Sequence, residues 1–223
     1  MSTLKLLAIA GAGGLGGGVM ALGTYALAQL GAPGWALMAI GAVFGGAALA
    51  PVGARWRRLS LIDDATSLPN RRALFGRLAV EWQRAQRSGA PLAFVVVEVD
   101  DMREHNNRYG HLHGDAVLLA VGRALCGGLR SGDVVGRWGG DEFGIILPRT
   151  GAVEALAVAE RVRGMVAQVR LDAGAGRPAA ATISGGVAVS TLHGPTLREL
   201  VHQADQAMYA AKERGKNQVL AAV

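Results

Sequence analysis

The sequence predicts an α/β sandwich, helices packed on a sheet, preceded by an apolar segment of different character. Three observations carry this. Short β-rich runs alternate with stretches of helical periodicity from residue 71 onward. No charged residue occurs between Lys5 and Arg55, whereas charge is frequent after it. Of 223 residues, 51% are apolar and 18% charged, a composition that excludes a disordered chain.

The N-terminal segment contains two uncharged stretches, 6–30 and 35–54, separated by Gly31-Ala32-Pro33-Gly34. Each reaches the length of about 20 residues that a membrane-spanning helix needs. The expectation is a two-helix transmembrane hairpin over 1–58 and a second domain over 59–223. Arg55-Trp56-Arg57-Arg58 follows the second stretch, and basic residues remain on the cytoplasmic side. This places the protein in the inner membrane as a multi-pass protein, with lipid as a partner and the C-terminal domain in the cytoplasm. A cleaved signal peptide ending near Ala26-Leu27-Ala28 is the alternative for the first stretch. Gly11-Ala12-Gly13-Gly14-Leu15-Gly16 matches a dinucleotide-binding pattern. Such a site needs an acidic residue about 20 positions on, and none occurs before Asp63.

In the second domain, Leu74, Leu78 and Trp82 share one face of a helix over 71–88. Residues 93–99 form a β-rich run after Pro91, a buried strand. Val117, Leu118, Val121 and Leu125 mark a helix over 114–129. Two runs, 134–138 and 143–147, are joined by Gly139-Gly140-Asp141-Glu142 as a β-hairpin whose turn holds two carboxylates. A helix over 153–169, a strand over 180–190 and a helix over 197–214 ended by Gly215 follow. Residues 219–223 supply a last strand. Trp82 and Tyr209 are expected in the core, and Cys126 as a buried small side chain. His105, His111 and His113 are expected in turns, and His193 and His202 at the surface.

Charge and cysteine content narrow the function classes. Only Lys5, Arg55, Arg57 and Arg58 are charged before residue 59, leaving 19 of the 23 basic residues and all 17 acidic ones after it. A domain so nearly balanced has little basic excess to offer nucleic acid. The single cysteine excludes an internal disulfide framework and a Cys-rich zinc site.

Two acidic clusters sit at expected strand ends: Glu98-Val99-Asp100-Asp101 and Asp141-Glu142. Carboxylates at neighbouring strand ends can converge on a hard divalent cation that also touches substrate phosphates. Solvated turn residues are the competing reading. Gly139-Gly140 favours a site, because a ligand can approach a turn without side chains closely.

Arg137-Trp138-Gly139-Gly140-Asp141-Glu142-Phe143 resembles the signature of the GGDEF family, the diguanylate cyclases. Four other stretches are similar to the family's pattern and lie in its order. They are Asp64-Ala65-Thr66-Ser67-Leu68-Pro69-Asn70-Arg71-Arg72; Asn106-Asn107-Arg108-Tyr109-Gly110-His111 with Gly114-Asp115; Thr182-Ile183-Ser184-Gly185-Gly186-Val187-Ala188; and Ala204-Asp205 with Met208-Tyr209, Lys212 and Gly215-Lys216-Asn217. The resemblance covers about residues 61–221. It implies a central, mostly antiparallel sheet with helices packed around it, of the nucleotidyl-cyclase or palm-like type.

It also implies a chemistry. Two GTP molecules, one on each subunit of a homodimer, condense into cyclic di-GMP and two pyrophosphates. Glu98, the Val99 carbonyl and Asp141 would hold Mg²⁺ or Mn²⁺, and Asp141, Glu142 and Arg103 would be catalytic. Asn106 and Asp115 would read the guanine, whose edge offers both donors and acceptors. Gly139 and Gly140 would leave room for the nucleotide, and Lys212, Lys216 and Arg103 would contact phosphates. Arg130-Ser131-Gly132-Asp133 resembles the family's R-x-x-D inhibitory site, where cyclic di-GMP slows its own synthesis, with Arg161 as a further contact. The chain departs from the family's pattern at Glu98 for Asp, Ser67 for Gly, Asn107 for Asp and Lys216 for Arg, and in the run Asp101-Met102-Arg103, which replaces the usual Phe-Lys before Asn106. Glu98 divides two readings, an active cyclase and a catalytically weak or inactive receptor of GTP or cyclic di-GMP.

Overall fold

The computed structural model describes residues 61–172, 178–191 and 196–222, and Gly31 before them. The two expected membrane stretches and His193 lie outside the described residues. Among the described residues no helix is long and apolar enough to cross a membrane. The expected inner-membrane, multi-pass location is corrected on that finding. The physical reason is visible in the longest of these helices, Arg71–Ser88, which carries five arginines and Glu81.

Twelve elements run in order among the described residues: α1 (Arg71–Ser88), β1 (Leu92–Val99), α2 (Met102–Tyr109), α3 (His111–Gly127), β2 (Val134–Gly139), β3 (Glu142–Pro148), α4 (Ala152–Ala167), β4 (Arg170–Asp172), β5 (Pro178–Ala180), β6 (Ile183–Val189), α5 (Leu197–Glu213) and β7 (Val219–Ala221). Helix boundaries follow local chemistry. The Asn70 side chain accepts from the Ala73 N–H at 3.1 Å and opens α1, and Gly89 closes it in the left-handed region. Thr196 caps α5 in the same way through the Glu199 N–H.

Five strands form one sheet in the order β2-β3-β1-β6-β7. The pairs are antiparallel except β6 with β7, which is parallel. β4 and β5 form a separate antiparallel pair. The central strand β1 is apolar from Leu92 to Val97 because both its faces are covered. Alternation along it assigns the two cores. Ala93, Val95, Val97 and Val99 pack with residues of α3 and α4, whereas Leu92, Phe94 and Val96 pack with α1 and α5. The expected sandwich, with a mostly antiparallel sheet, is therefore the one observed.

Helix α5 lies unusually close to the sheet. A Cβ built on Gly186 would meet the Ala204 carbonyl oxygen at 2.0 Å and the Met208 nitrogen at 2.2 Å. Only a residue without a side chain lets the helix backbone rest there. This contact fixes where the C-terminal half of α5 stands relative to the end of β1.

Several expectations change. Helix α2 was not anticipated, because Met-Arg-Glu-His-Asn-Asn-Arg-Tyr buries only Met102 and shows no apolar period. The three-residue strands β4 and β5 are too short for a pattern. His105 lies in α2 and His111 and His113 in α3, not in turns. Tyr209 is 63% exposed, on the outer face of α5, and Cys126 is exposed near the end of α3, so neither belongs to the core. Trp82 packs half-buried against the core, and His202 is exposed as expected.

Gly186→Ala is expected to destabilise the protein by about 1–3 kcal/mol, the usual cost of overpacking. Urea unfolding of the variant checks this.

Candidate active site

The β1–β3 register brings the two acidic clusters together. Glu98 stands directly opposite Glu142. The Val99 N–H donates to the Asp141 carbonyl at 3.1 Å, which ties the tip of the hairpin to the end of β1. The hairpin is tighter than expected, since β3 begins at Glu142 and only Gly140 and Asp141 turn. A bulge between Arg137 and Gly139 shifts the register there. The Arg137 guanidinium holds the tip by donating to the Gly140 carbonyl, from Nε at 2.6 Å, and pairs with Asp63 at 3.4 Å. Gly139 lies against the Glu142 carboxylate, 3.1 Å from where its Cβ would be, and Gly140 turns with φ 24° in open space.

Negative charge is crowded here. Burial pushes the Glu142 carboxyl above the ordinary value, and Glu98, Asp205 and Asp141 push it further, while Arg71 opposes them. Lys212, from the last turns of α5, forms an ion pair with Glu98, and both side chains are about three-quarters buried or more. The expected phosphate contact and the expected metal ligand are thus joined to each other. Among the described residues no three His, Cys, Asp or Glu side chains form a ready metal cage. Mg²⁺ is commonly held by one or two carboxylates and completes its shell with water and substrate phosphate. Glu98, Asp141 and the Val99 carbonyl are hard oxygen donors at one strand end, so the residues fit such an ion.

The other expected site residues divide into two groups. Asn106 in α2 packs on Gly114 of α3, with its Oδ1 1.9 Å from where a Cβ would be, and Asp115 is the next residue of α3. Lys216 pairs with Asp101, which raises its pKa by a hydrogen bond and by charge. Arg103 is exposed in the first turn of α2. Asp100, counted in the acidic cluster, is structural. It is 3% exposed and accepts from the Thr182 and Ser184 hydroxyls, both at 2.7 Å, and from the Asn217 N–H at 3.1 Å. It thereby locks the left-handed turn after α5 that carries Lys216. Asp205, part of the Ala204-Asp205 motif, adds its charge at Glu142. Asp63, one residue ahead of the first motif's Asp64, closes the turn there by accepting from the Thr66 N–H at 2.9 Å and hydroxyl at 2.6 Å.

Arg130 and Asp133 are joined to each other, by Nε to Oδ1 at 3.1 Å and by the Arg130 N–H to Oδ2 at 3.1 Å. The guanidinium also reaches Glu154 at 3.1 Å, the Pro148 carbonyl at 2.9 Å and the Thr150 hydroxyl at 2.7 Å. Arg161 donates to the Gly128 carbonyl instead. Beside Arg130 lies a cavity of about 710 Å³ lined by Arg77, Glu81, Arg84 and Arg149 among others. Glu81, only 6% exposed, accepts from both Arg77 and Arg84 at 2.8 Å. The sequence marks one wall of this cavity, Arg130-Ser131-Gly132; the rest comes from α1, the start of β1 and the end of β3, which no motif links.

The family model described as "Diguanylate cyclase, GGDEF domain" matches residues 60–218. The chain belongs to the GGDEF family. The diguanylate cyclase DosC of Escherichia coli K12 is 40% identical over 158 residues, which are 71% of this chain and 34% of DosC. The chain thus spans about a third of the length of the curated relatives it matches. The solved GGDEF domain of TpbB (YfiN) from Pseudomonas aeruginosa is 33% identical, covers 71% of this chain and 98% of that one, and has a TM-score of 0.67. The GGDEF domain of DgcB from Caulobacter crescentus, solved in complex with c-di-GMP, is 28% identical with a TM-score of 0.68, over 73% of this chain and 95% of that one.

The raised Glu142 carboxyl sets a pH dependence in the metal-free protein. Folded Glu142 holds its proton to higher pH than the unfolded chain does, so its charging opposes folding as pH rises above the ordinary value of 4.5. Glu142→Gln is expected to raise the melting temperature at pH 7, with the gain fading below pH 4.5. Thermal unfolding of both proteins in chelator at several pH values checks it.

Proposed function

We propose that this GGDEF chain is a diguanylate cyclase that condenses two GTP into cyclic di-GMP and two pyrophosphates. The observation that supports this reading is that Glu98 faces Glu142 across β1 and β3, with Asp141 at the hairpin tip tied to Val99 and Lys212 paired to Glu98. One domain offers one nucleotide site, so two copies must face each other, and 59–223 is the unit that does so.

The 3′-hydroxyl of one GTP attacks the α-phosphorus of the other. A new O–P bond forms, the bond to the bridging oxygen of the β-phosphate breaks, and pyrophosphate leaves. The reciprocal attack closes the ring. Mg²⁺ or Mn²⁺ held by Glu98, the Val99 carbonyl and Asp141 would neutralise the triphosphate and polarise the phosphoryl group. Glu142, with its raised proton affinity, is suited to take the hydroxyl proton. Asn106 and Asp115 read the guanine edge, and Gly139 and Gly140 leave space for the nucleotide. Lys212, Lys216 and Arg103 hold phosphate oxygens. Arg130 and Asp133 form the inhibitory site for cyclic di-GMP.

A second reading, a receptor of GTP or cyclic di-GMP with weak or no catalysis, is favoured by the Glu98–Lys212 ion pair. A glutamate at this position reaches the lysine and withdraws both side chains from the reaction.

The full chain incubated with GTP and Mg²⁺ is expected to yield cyclic di-GMP and pyrophosphate. Absence of product with cyclic di-GMP binding intact would leave the receptor reading. Asp115→Ala is expected to lower the preference for GTP over ATP by about tenfold or more, since an unread polar edge loses its discrimination. Competition kinetics check this. Glu98→Asp is expected to raise turnover, as the shorter side chain gives up Lys212; steady-state rates of the two proteins decide.

A further inference from the structure

The cavity beside Arg130 contains a cation that the fold does not use. Arg130 spends its guanidinium on Asp133, Glu154, Thr150 and the Pro148 carbonyl. Arg77 and Arg84 share the Glu81 carboxylate. Arg149 lines the same cavity and is exposed, and its guanidinium has no ion-pair or hydrogen-bond partner among the described residues.

Its backbone is also in an unfavourable place for its side chain. Arg149 has φ 54°, in the left-handed region that glycine, asparagine and aspartate tolerate far better than arginine. The turn around it enforces this. The Pro148 carbonyl accepts from Arg130 at 2.9 Å and from the Thr150 hydroxyl at 3.0 Å, and the Thr150 N–H donates to the Pro91 carbonyl at 3.2 Å. Thr150 is 1% exposed. Arg149 is thus held between two locked residues, with its charge unspent and its strain unrelieved. Strain kept at a cavity rim by a residue that gives nothing to packing points to binding.

We propose that Arg149 binds a phosphate of the ligand that Arg130 and Asp133 receive, so that the cavity grips two phosphate groups at once. The proposal rests on the inhibitory-site reading above and extends it. Arg130 and Arg149 meet at the same three-residue turn, one bonded to its carbonyl and the other built into it. A cyclic dinucleotide carries two phosphodiesters, and a guanidinium suits such oxygens through paired N–H donors. Binding by Arg130 requires it to exchange part of its internal hydrogen bonds. Arg149 has none to give up.

Calorimetric titration of the full chain with cyclic di-GMP tests this, with Arg149→Asn as the variant. Asparagine removes the charge and accepts the left-handed backbone, so the melting temperature is expected to hold or rise while affinity falls about tenfold, the effect of one charge-assisted contact. Arg87→Asn, in the last turn of α1 and outside the cavity lining, is expected to leave affinity unchanged. Should Arg149→Asn prove unstable, Arg149→Gly serves the same purpose. Unchanged affinity in the Arg149 variant overturns the proposal and leaves the inhibitory-site reading standing. Equal losses in the Arg149 and Arg87 variants also overturn it, since bulk charge would then explain both. Failure of Arg130→Ala to weaken binding overturns the inhibitory-site reading itself, and this proposal with it.

Discussion

Two glutamates facing each other across adjacent strands repel, and the pairing of β1 with β3 gives Glu98 and Glu142 no way to part. The register cannot slip to relieve them. A shift of one residue would carry side chains fitted to the α3–α4 core, such as Val95, Val97 and Phe143, onto the face packed by α1 and α5. The hydrophobic pattern of two strands therefore holds like charges together at their end. Cations must answer this, and in the described residues Lys212 does so. It arrives because α5 rests its backbone on Gly186, a contact on the sheet away from the charges it balances. Core packing, backbone approach and site electrostatics are one arrangement.

Strand β3 links the two functional regions. Glu142 begins it and Pro148 ends it, with five buried residues between. At about 3.4 Å per residue the strand separates the acidic end from the arginine cavity by roughly 20 Å. Carboxylates crowd one end of this buried strand and arginines the other. The proposed substrate and product sites therefore lie at opposite ends of β3.

Much of this was legible in the sequence. Continuous apolar character gave β1, helical spacing gave α1, α3, α4 and α5, and the Gly139-Gly140-Asp141-Glu142 run gave the hairpin. The motifs named Glu98, Val99, Asp141, Glu142, Asn106, Asp115, Arg130 and Asp133, of which Glu98 and Glu142 come face to face and Arg130 and Asp133 pair. Elements that bury almost nothing, such as α2, left no period to read. Contacts between distant segments were also hidden. Glu98 with Lys212, and Asp100 with Thr182, Ser184 and Asn217, depend on strand order and helix placement. The left-handed backbone of Arg149 was equally invisible, because arginine carries no turn signal. Exposure of Tyr209 shows the limit of apolar spacing, since an aromatic ring near a helix end can face outward.

Lys212 answers the negative charge at the acidic end of β1 and β3, so a divalent cation must compete with it for Glu98. Titration of the nucleotide-free full chain with Mn²⁺, followed by the loss of the free-ion paramagnetic resonance signal, tests it most directly. The account predicts that Lys212→Met binds Mn²⁺ more tightly than the wild type, and that adding Glu98→Gln to it abolishes the gain. Equal or weaker binding by Lys212→Met would contradict it.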